Sequence, residues 1–229
     1  MKYMKIAFCI VLVLVQYTVY GVERREQPLK PFDELRVFGP YEVVLIPGNE
    51  EKMVIHNYNM DWNDILYHEK EGKLKLKFRT NKRLFENPSV RVEIHYKQLH
   101  VLSLGASANV STRGTLDVSR VEVSVASGAF ADLELSTGKA KIQVNSGGEL
   151  VLTGKAATQD ASVSSGGVIR ASRLQCQSVF VKAVTGGSAY VYAVDNLDAK
   201  SSTGGEVKYK GRPKSLWHNA NLGGTIQGG

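Results

Sequence analysis

Few residues in this chain have the types and spacing for chemistry. Ser165-Gly166-Gly167 invites comparison with a phosphate-binding loop. Such a loop needs a Lys-Ser or Lys-Thr pair opening a helix, so that ammonium and backbone amides converge on the phosphates. No such pair follows, and no strand-turn-helix context supports a dinucleotide fingerprint. His56, His68, His95, His100 and His218 are scattered with no close pair at metal-ligand spacing, and Cys176 stands alone beside a glycine-marked corner. A lone small thiol in such a place reads as a packing residue. Asp132 and Glu134 are the one carboxylate pair with a common outward orientation. Carbohydrate hydrolysis needs clustered carboxylates for acid and base work. No catalytic residue, metal or cofactor is therefore expected.

The elements that position these residues come from a repeat. Ser127-Gly128-Ala129, Ser146-Gly147-Gly148, Ser165-Gly166-Gly167, Thr185-Gly186-Gly187, Thr203-Gly204-Gly205 and Leu222-Gly223-Gly224 have first glycines 19, 19, 20, 18 and 19 residues apart. Leu104-Gly105-Ala106 lies 23 residues before Gly128 as an earlier copy. Repeats of this length are single supersecondary units that bury their apolar face only by stacking on neighbours. Three residues before each first glycine stand Leu102, Val125, Val144, Val163, Ala183, Ser201 and Ala220. Three after it stand Ala108, Ala131, Leu150, Ile169, Ala189, Val207 and Ile226. The intervening positions are mostly polar. That two-residue alternation, in phase across the copies, is the period of a strand rather than of a helix.

The expected fold is therefore all-β: a right-handed parallel β-helix preceded by N-terminal strands. Seven coils at the strand spacing make a narrow rod roughly 34 Å long. A β-sandwich is the rival, but it predicts turns every 8–12 residues or so without the columnar match. The ends of the rod are strand edges that need covering; the N-terminal strands are expected to cover one, and no obvious cap follows the last repeat. Residues 1–21 read as a signal peptide, 22–31 as a polar leader, 32–98 as an N-terminal β-strand region and 99–229 as the glycine-punctuated coils. Within 32–98, Leu74–Phe78 and Val90–Tyr96 alternate cleanly, Asn57–His68 holds room for a helical turn, and Arg79–Pro88 reads as a loop.

The signal segment has Lys2 and Lys5 before an uncharged apolar run, Ile6–Val15, which is too short for a comfortable span of about 20 residues. A retained anchor is the alternative. Cleavage after Gly21 leaves Cys176 as the sole cysteine, so no internal disulfide forms. The formal charge is +7, two of it from Lys2 and Lys5, which leaves five on the mature chain. That modest excess suits solubility or an acidic glycan or envelope surface. No integral membrane span is expected after cleavage, and nucleic acid is not expected as a partner.

In the coil columns Asp132 and Glu134 stack on Val151, Thr153, Asn109 and Ser111, so no second carboxylate joins them. The best candidate surface is basic and aromatic. Arg170, Tyr190 and Lys208 share one outward column, Lys182 and Lys200 a second, and Tyr192 and Lys210 a third. Aromatic faces beside cations suit sugar rings or anionic polymers, whereas lysines alone also protect a sheet from association.

Phe32-Asp33-Glu34-Leu35-Arg36-Val37 with Gly39-Pro40-Tyr41-Glu42-Val43, then Gly72–Leu76, Val92–Tyr96 with Leu99, Leu102–Ser107 and the later Ser-Gly-Gly coils follow one another in an order that resembles the putative auto-transporter adhesin, head GIN domain family. The resemblance covers nearly the whole mature chain. It implies a β-helical fold, export to a bacterial envelope and a source among the Bacteroidetes, and it brings no catalytic or ligand residue. The expectation is an exported non-enzymatic protein, in the periplasm, on the outer-membrane surface or outside the cell, that binds glycan or another envelope component. A structural or assembly component of the envelope is the alternative, and a polysaccharide-active enzyme the outside one.

Overall fold

The computed structural model describes residues 22–79 and 90–229. The expected signal segment, and all but the first residue of the expected Arg79–Pro88 loop, lie outside them. Among the described residues there are seventeen strands, one 3-10 turn at Trp62–Asp64 and no α-helix. The 3-10 turn falls inside the stretch where a helical turn was expected, with the Asp61 side chain accepting from the Asn63 amide.

The repeat forms a parallel β-helix. Strands β11 (Phe130–Val144), β12 (Glu149–Val163), β13 (Val168–Val184) and β14 (Ser188–Ser202) each make most of one coil. They pair parallel, coil on coil, over nearly their whole length. Before them, β8 (Val101–Gly105), β9 (Asn109–Thr112) and β10 (Leu116–Val125) form the first turns. Because β11 pairs β9 with its first half and β10 with the rest, it spans two faces, as do the strands stacked on it. Val125, Val144, Val163, Ala183 and Ser201 lie directly above one another and are all buried. The expected inward column is therefore present, and its side chains are small, which keeps the rod narrow.

One expected register is off by two. Leu104, not Leu102, pairs with Val125, and Val110, not Ala108, pairs with Ala131. Ser111, rather than Asn109, accordingly stands beside Asp132. The corner explains the error. Later corners place a serine or threonine, or Leu222 in the last, and then a glycine at positive φ, as in Ser165 (φ 50°) and Gly166 (φ 71°). The first corner uses Ala106 (φ 52°) and Ser107 (φ 62°) instead, so its marker is Ser107 and Gly105 is a decoy.

The second glycine, present in every tripeptide from Ser146-Gly147-Gly148 onward, has a different reason. A Cβ on Gly205 would lie 2.3 Å from the Ala183 carbonyl oxygen of the previous coil, whereas one on Gly166 meets nothing within 4 Å. The first glycine relieves strain in the left-handed region; the second lets two coils approach.

Upstream, the solenoid continues out of chain order. β2 (Glu34–Phe38) and β3 (Glu42–Pro47) lie parallel on β8 and β9. β6 (Lys73–Phe78) and β7 (Val90–Tyr96) lie parallel on the far edges of β2 and β3. Antiparallel strands then close that end: β5 (Ile65–Lys70) on β6, β4 (Lys52–Asn57) on β7, and β1 (Glu23–Pro28) on β4. The stretch expected as a polar leader thus supplies β1, and its charged residues Glu23, Arg24, Arg25 and Glu26 line an exposed edge. At the other end β15 (Glu206–Lys210), β16 (Ser215–Ala220) and β17 (Thr225–Gly228) complete the stack, and every residue of β16 is exposed.

Inside the rod, Gln159 interrupts an otherwise apolar column of Val121, Ala140, Val179 and Leu197. It is fully buried, its Oε1 accepts from the Cys176 thiol at 3.4 Å, and its Nε2 has no hydrogen-bond partner. An unsatisfied buried donor costs about 1–3 kcal/mol.

Two stability predictions follow from these contacts. Gly205→Ala lowers the urea midpoint more than Gly166→Ala, because its Cβ collides with the Ala183 backbone, whereas Gly166→Ala meets only a φ penalty of about 1–3 kcal/mol. Gln159→Met, of similar volume but without the amide, raises thermal stability by about 1 kcal/mol in calorimetry; a loss of that size would show that the amide is satisfied.

Candidate binding surface

The predicted basic and aromatic residues fall into two groups on different faces. Arg170, Tyr190 and Lys208 are paired across β13, β14 and β15 in one outward column. Tyr190 lies between the two cations, with Arg170 5.8 Å and Lys208 5.7 Å from its ring centroid. Each cation also has a carboxylate: Arg170 Nε donates to Glu149 at 2.6 Å and Lys208 Nζ lies 2.8 Å from Glu206. Hydrogen bonding to those carboxylates raises the pKa of both cations. The Tyr190 hydroxyl reaches Glu206 at 3.4 Å. Alternating Glu149, Arg170, Tyr190, Lys208 and Glu206 make a ladder whose charges largely cancel. Tyr192 and Lys210 are paired in the neighbouring column, above Gln175.

Lys182 and Lys200 are also paired, but on the second halves of β13 and β14, across the Thr185–Gly187 corner from that ladder. Lys200 sits 5.1 Å over the ring of Trp217. No ion pair reaches Lys182 among the described residues.

These lysines border a feature that charge and glycine spacing had not revealed. Lys141, Asp160, Phe180, Asp198 and Trp217 form one outward column, strand by strand. Phe180 is 47% and Trp217 48% exposed, on a continuous sheet face. Each stands six residues before the first glycine of its corner, so the same count from Gly186 and Gly223 would have found them.

A shallow trough lies on the outer side of the solenoid, where the long strands pass from their first face to their second. Its volume is about 590 Å³, and it crosses five stacked strands, β10 to β14. Small residues form its floor at Gly138, Ala156 and Ala157, and Asp117, Ser136, Lys155, Gln175 and Gln177 supply polar groups. Gly138 is required there, since a Cβ would lie 2.8 Å from the Ser119 carbonyl oxygen. Gln177 and Phe180 are on the same strand, so trough and aromatic column adjoin.

Glu134 and Cys176, one carboxylate of the outward pair and the lone thiol of the coils, are both engaged within the fold. Glu134 accepts from Thr115 Oγ1 at 2.7 Å, and its amide donates to Thr112. Cys176 is fully buried, and burial pushes its thiol up to about 12. Among the described residues no cluster of three His, Cys, Asp or Glu side chains is placed to hold a metal ion.

Residues 31–213 match the family model for the putative auto-transporter adhesin, head GIN domain. The chain belongs to this family. A crystal structure of a putative adhesin from Bacteroides fragilis is similar over 91% of this chain and 97% of its own, with a TM-score of 0.82 and 18% identity. A putative adhesin from Parabacteroides distasonis matches over 91% and 97% of the two chains, with a TM-score of 0.71 and 18% identity. Another, from Parabacteroides merdae, matches over 90% and 95%, with a TM-score of 0.70 and 19% identity. At these identities the likeness is one of fold. No curated protein sequence matches the chain. Among the described residues no helix is long and apolar enough to cross a membrane.

A buried, protonated thiol is a poor nucleophile. Native protein at pH 8 is expected to leave Cys176 unmodified by a disulfide-exchange reagent, with full reaction only after unfolding in denaturant. Rapid labelling of the folded chain would contradict the packing described for Cys176.

Proposed function

We propose that this chain is an exported, non-enzymatic adhesin of the bacterial envelope that holds a glycan or another envelope component on the flank of its solenoid. The observation that carries this reading is the open trough of about 590 Å³, lined with hydroxyl, amide and single charged groups across five strands. Its length along the rod suits one edge of a polymer. Its polar atoms are dispersed, which suits many weak hydrogen bonds rather than one reacting centre. Family membership supports the adhesin role, and the basic start and apolar run of residues 1–21 support export to the periplasm, the outer-membrane surface or beyond.

Of the seven predicted contact residues, Lys182 and Lys200 stay in the contact surface. Arg170, Tyr190 and Lys208 serve as a self-neutralised stack that stiffens the face across the Thr185–Gly187 corner, and Tyr192 and Lys210 lie beside it in the column of the trough residue Gln175. Surface ion pairs of this kind contribute little individually, and their main effect is to keep like charges in adjacent coils apart.

An array of bacterial and host glycans, probed with the purified chain, tests the reading. Saturable binding to one saccharide class is expected, weakened by a Lys155→Ala, Gln177→Ala double variant and indifferent to Tyr190→Ala. No binding to any saccharide or to isolated envelope fractions would overturn it. Assembly through the rod end is the second reading, favoured by the fully exposed β16 with Leu216 and Trp217 at its surface. Light scattering over a concentration series separates the two, since only assembly makes the mass rise with concentration.

A further inference from the structure

We propose that the Phe180–Asp198–Trp217 column is a saccharide platform for an uncharged, equatorially linked polysaccharide running along the solenoid axis. The inference rests on the glycan-binding reading and names the ligand class and contact residues for it. The two rings project from the same column, two coils apart, with Asp198 between them. At the strand spacing the rings are separated by roughly 9.6 Å. Both are about half exposed, and Phe180 lies in mid-solenoid, flanked by Asp160 and Asp198 rather than by apolar neighbours.

This arrangement suits a sugar chain better than a protein. A docking protein buries a contiguous apolar patch, with charges kept to the rim. Here apolar and acidic groups alternate at coil spacing. A pyranose chain alternates in the same way: each ring offers an apolar C–H face for stacking and a girdle of hydroxyls for hydrogen bonds. Asp198 lies where those hydroxyls fall and has no ion pair among the described residues. The next column adds Ser162, Lys182, Lys200 and Asn219 as further donors. On the other side Ser178 and Asn196 are hydrogen-bonded to each other at 3.0 Å.

The charge decides between neutral and anionic polymers. Asp160 and Asp198 offset Lys182 and Lys200, and Lys141 is 3.4 Å from Glu122. A surface with both signs interspersed offers no steering field to an anionic glycan or nucleic acid. The geometry decides between linkages. Phe180 and Trp217 share one column of the parallel ladder, so a ribbon-like chain can reach both rings, while a coiled α-linked chain curves away after the first. Lys200, now over the Trp217 ring, is long enough to swing aside and donate to a sugar oxygen.

The test uses the full chain with Trp62→Phe, which leaves Trp217 as the only fluorophore of its kind. It is titrated with soluble hexasaccharides of β-1,4-linked glucose, xylose and N-acetylglucosamine, and with maltohexaose. Saturable change in Trp217 emission is expected with at least one β-1,4-linked oligomer and not with maltohexaose. The affinity should change less than about twofold when salt is raised to screen charges. Phe180→Thr and Trp217→Thr, read by calorimetry, should each weaken binding about tenfold, the scale of one aromatic contact. Threonine keeps the strand propensity, and an unchanged urea midpoint verifies the fold. Tyr190→Ala, on the other face, should bind as the parent does. If the chain binds glycans on the array but Phe180→Thr binds as tightly as the parent, the platform is overturned and the adhesin reading stands. A steep loss of affinity with salt, or capture of an envelope protein in place of saccharide, also overturns it. Failure to bind any glycan overturns the platform, and failure to bind isolated envelope fractions as well overturns the adhesin reading.

Discussion

The parallel ladder between coils is the constraint on which the rest depends. It forces equivalent residues to lie one strand spacing apart, so a choice made at one position in a coil is felt by the coils above and below. Corners must then turn within two residues without pushing neighbouring coils apart. Ser165-Gly166-Gly167 shows how this is met: Ser165 and Gly166 take the left-handed region, and Gly167 leaves room for the Val144 carbonyl oxygen, which would lie 3.0 Å from a Cβ. The inward columns follow from the same geometry. The column just before each corner has room for Val, Ala and Ser, larger side chains such as Leu133, Leu150 and Ile169 fill the columns away from it, and one amide, Gln159, is tolerated only with an unpartnered donor.

The two ends differ in how they handle the open edge that any ladder leaves. At the N-terminal end three antiparallel pairings close the parallel stack, and the outermost strand, β1, is exposed and charged. Lys52 bridges Glu26 and Glu50 across that edge at 3.2 and 2.7 Å. Inside the same cap Glu34 receives Lys73 at 2.9 Å together with Arg36; burial alone would raise its carboxyl, but the two cations outweigh it and hold it below the usual range. β16 carries no such protection: Leu216, Trp217 and His218 stack on Leu197, Asp198 and Ala199 and remain exposed.

The repeat was legible because glycine is the residue that the corner geometry demands, so the physical requirement and the sequence marker coincide. It failed at the first corner for the same reason. Ser107 adopts φ 62° without being glycine, and the eye goes instead to Gly105, two residues earlier. The N-terminal layering was not legible at all. β2 lies between β6 and β8, and the pairing of Leu35 with both Leu74 and Leu102 leaves no local trace, since each strand alternates equally well against any apolar neighbour. Column reading also put Arg170, Tyr190 and Lys208 together correctly. It could not reveal that Glu149 and Glu206 neutralise them, because those carboxylates come from a neighbouring outward column, two residues along the strands.

A solenoid of this kind separates stability from recognition more cleanly than a globular domain does. Inward positions answer to packing, and outward positions on central coils are held in place by backbone hydrogen bonds whatever their side chains are. An exposed aromatic such as Phe180 therefore contributes little to the rod, since its ladder partners Asp160 and Asp198 are polar and offer it no apolar contact surface. The strand would form as well with threonine there. Two large rings at the same offset in alternate coils, both half exposed, with a carboxylate at that offset between them, are thus weakly constrained by folding. Their spacing is set by the ladder, so any ligand that uses both must be extended and must repeat on the scale of two coils, which a chain of flat sugar rings does and a compact metabolite does not.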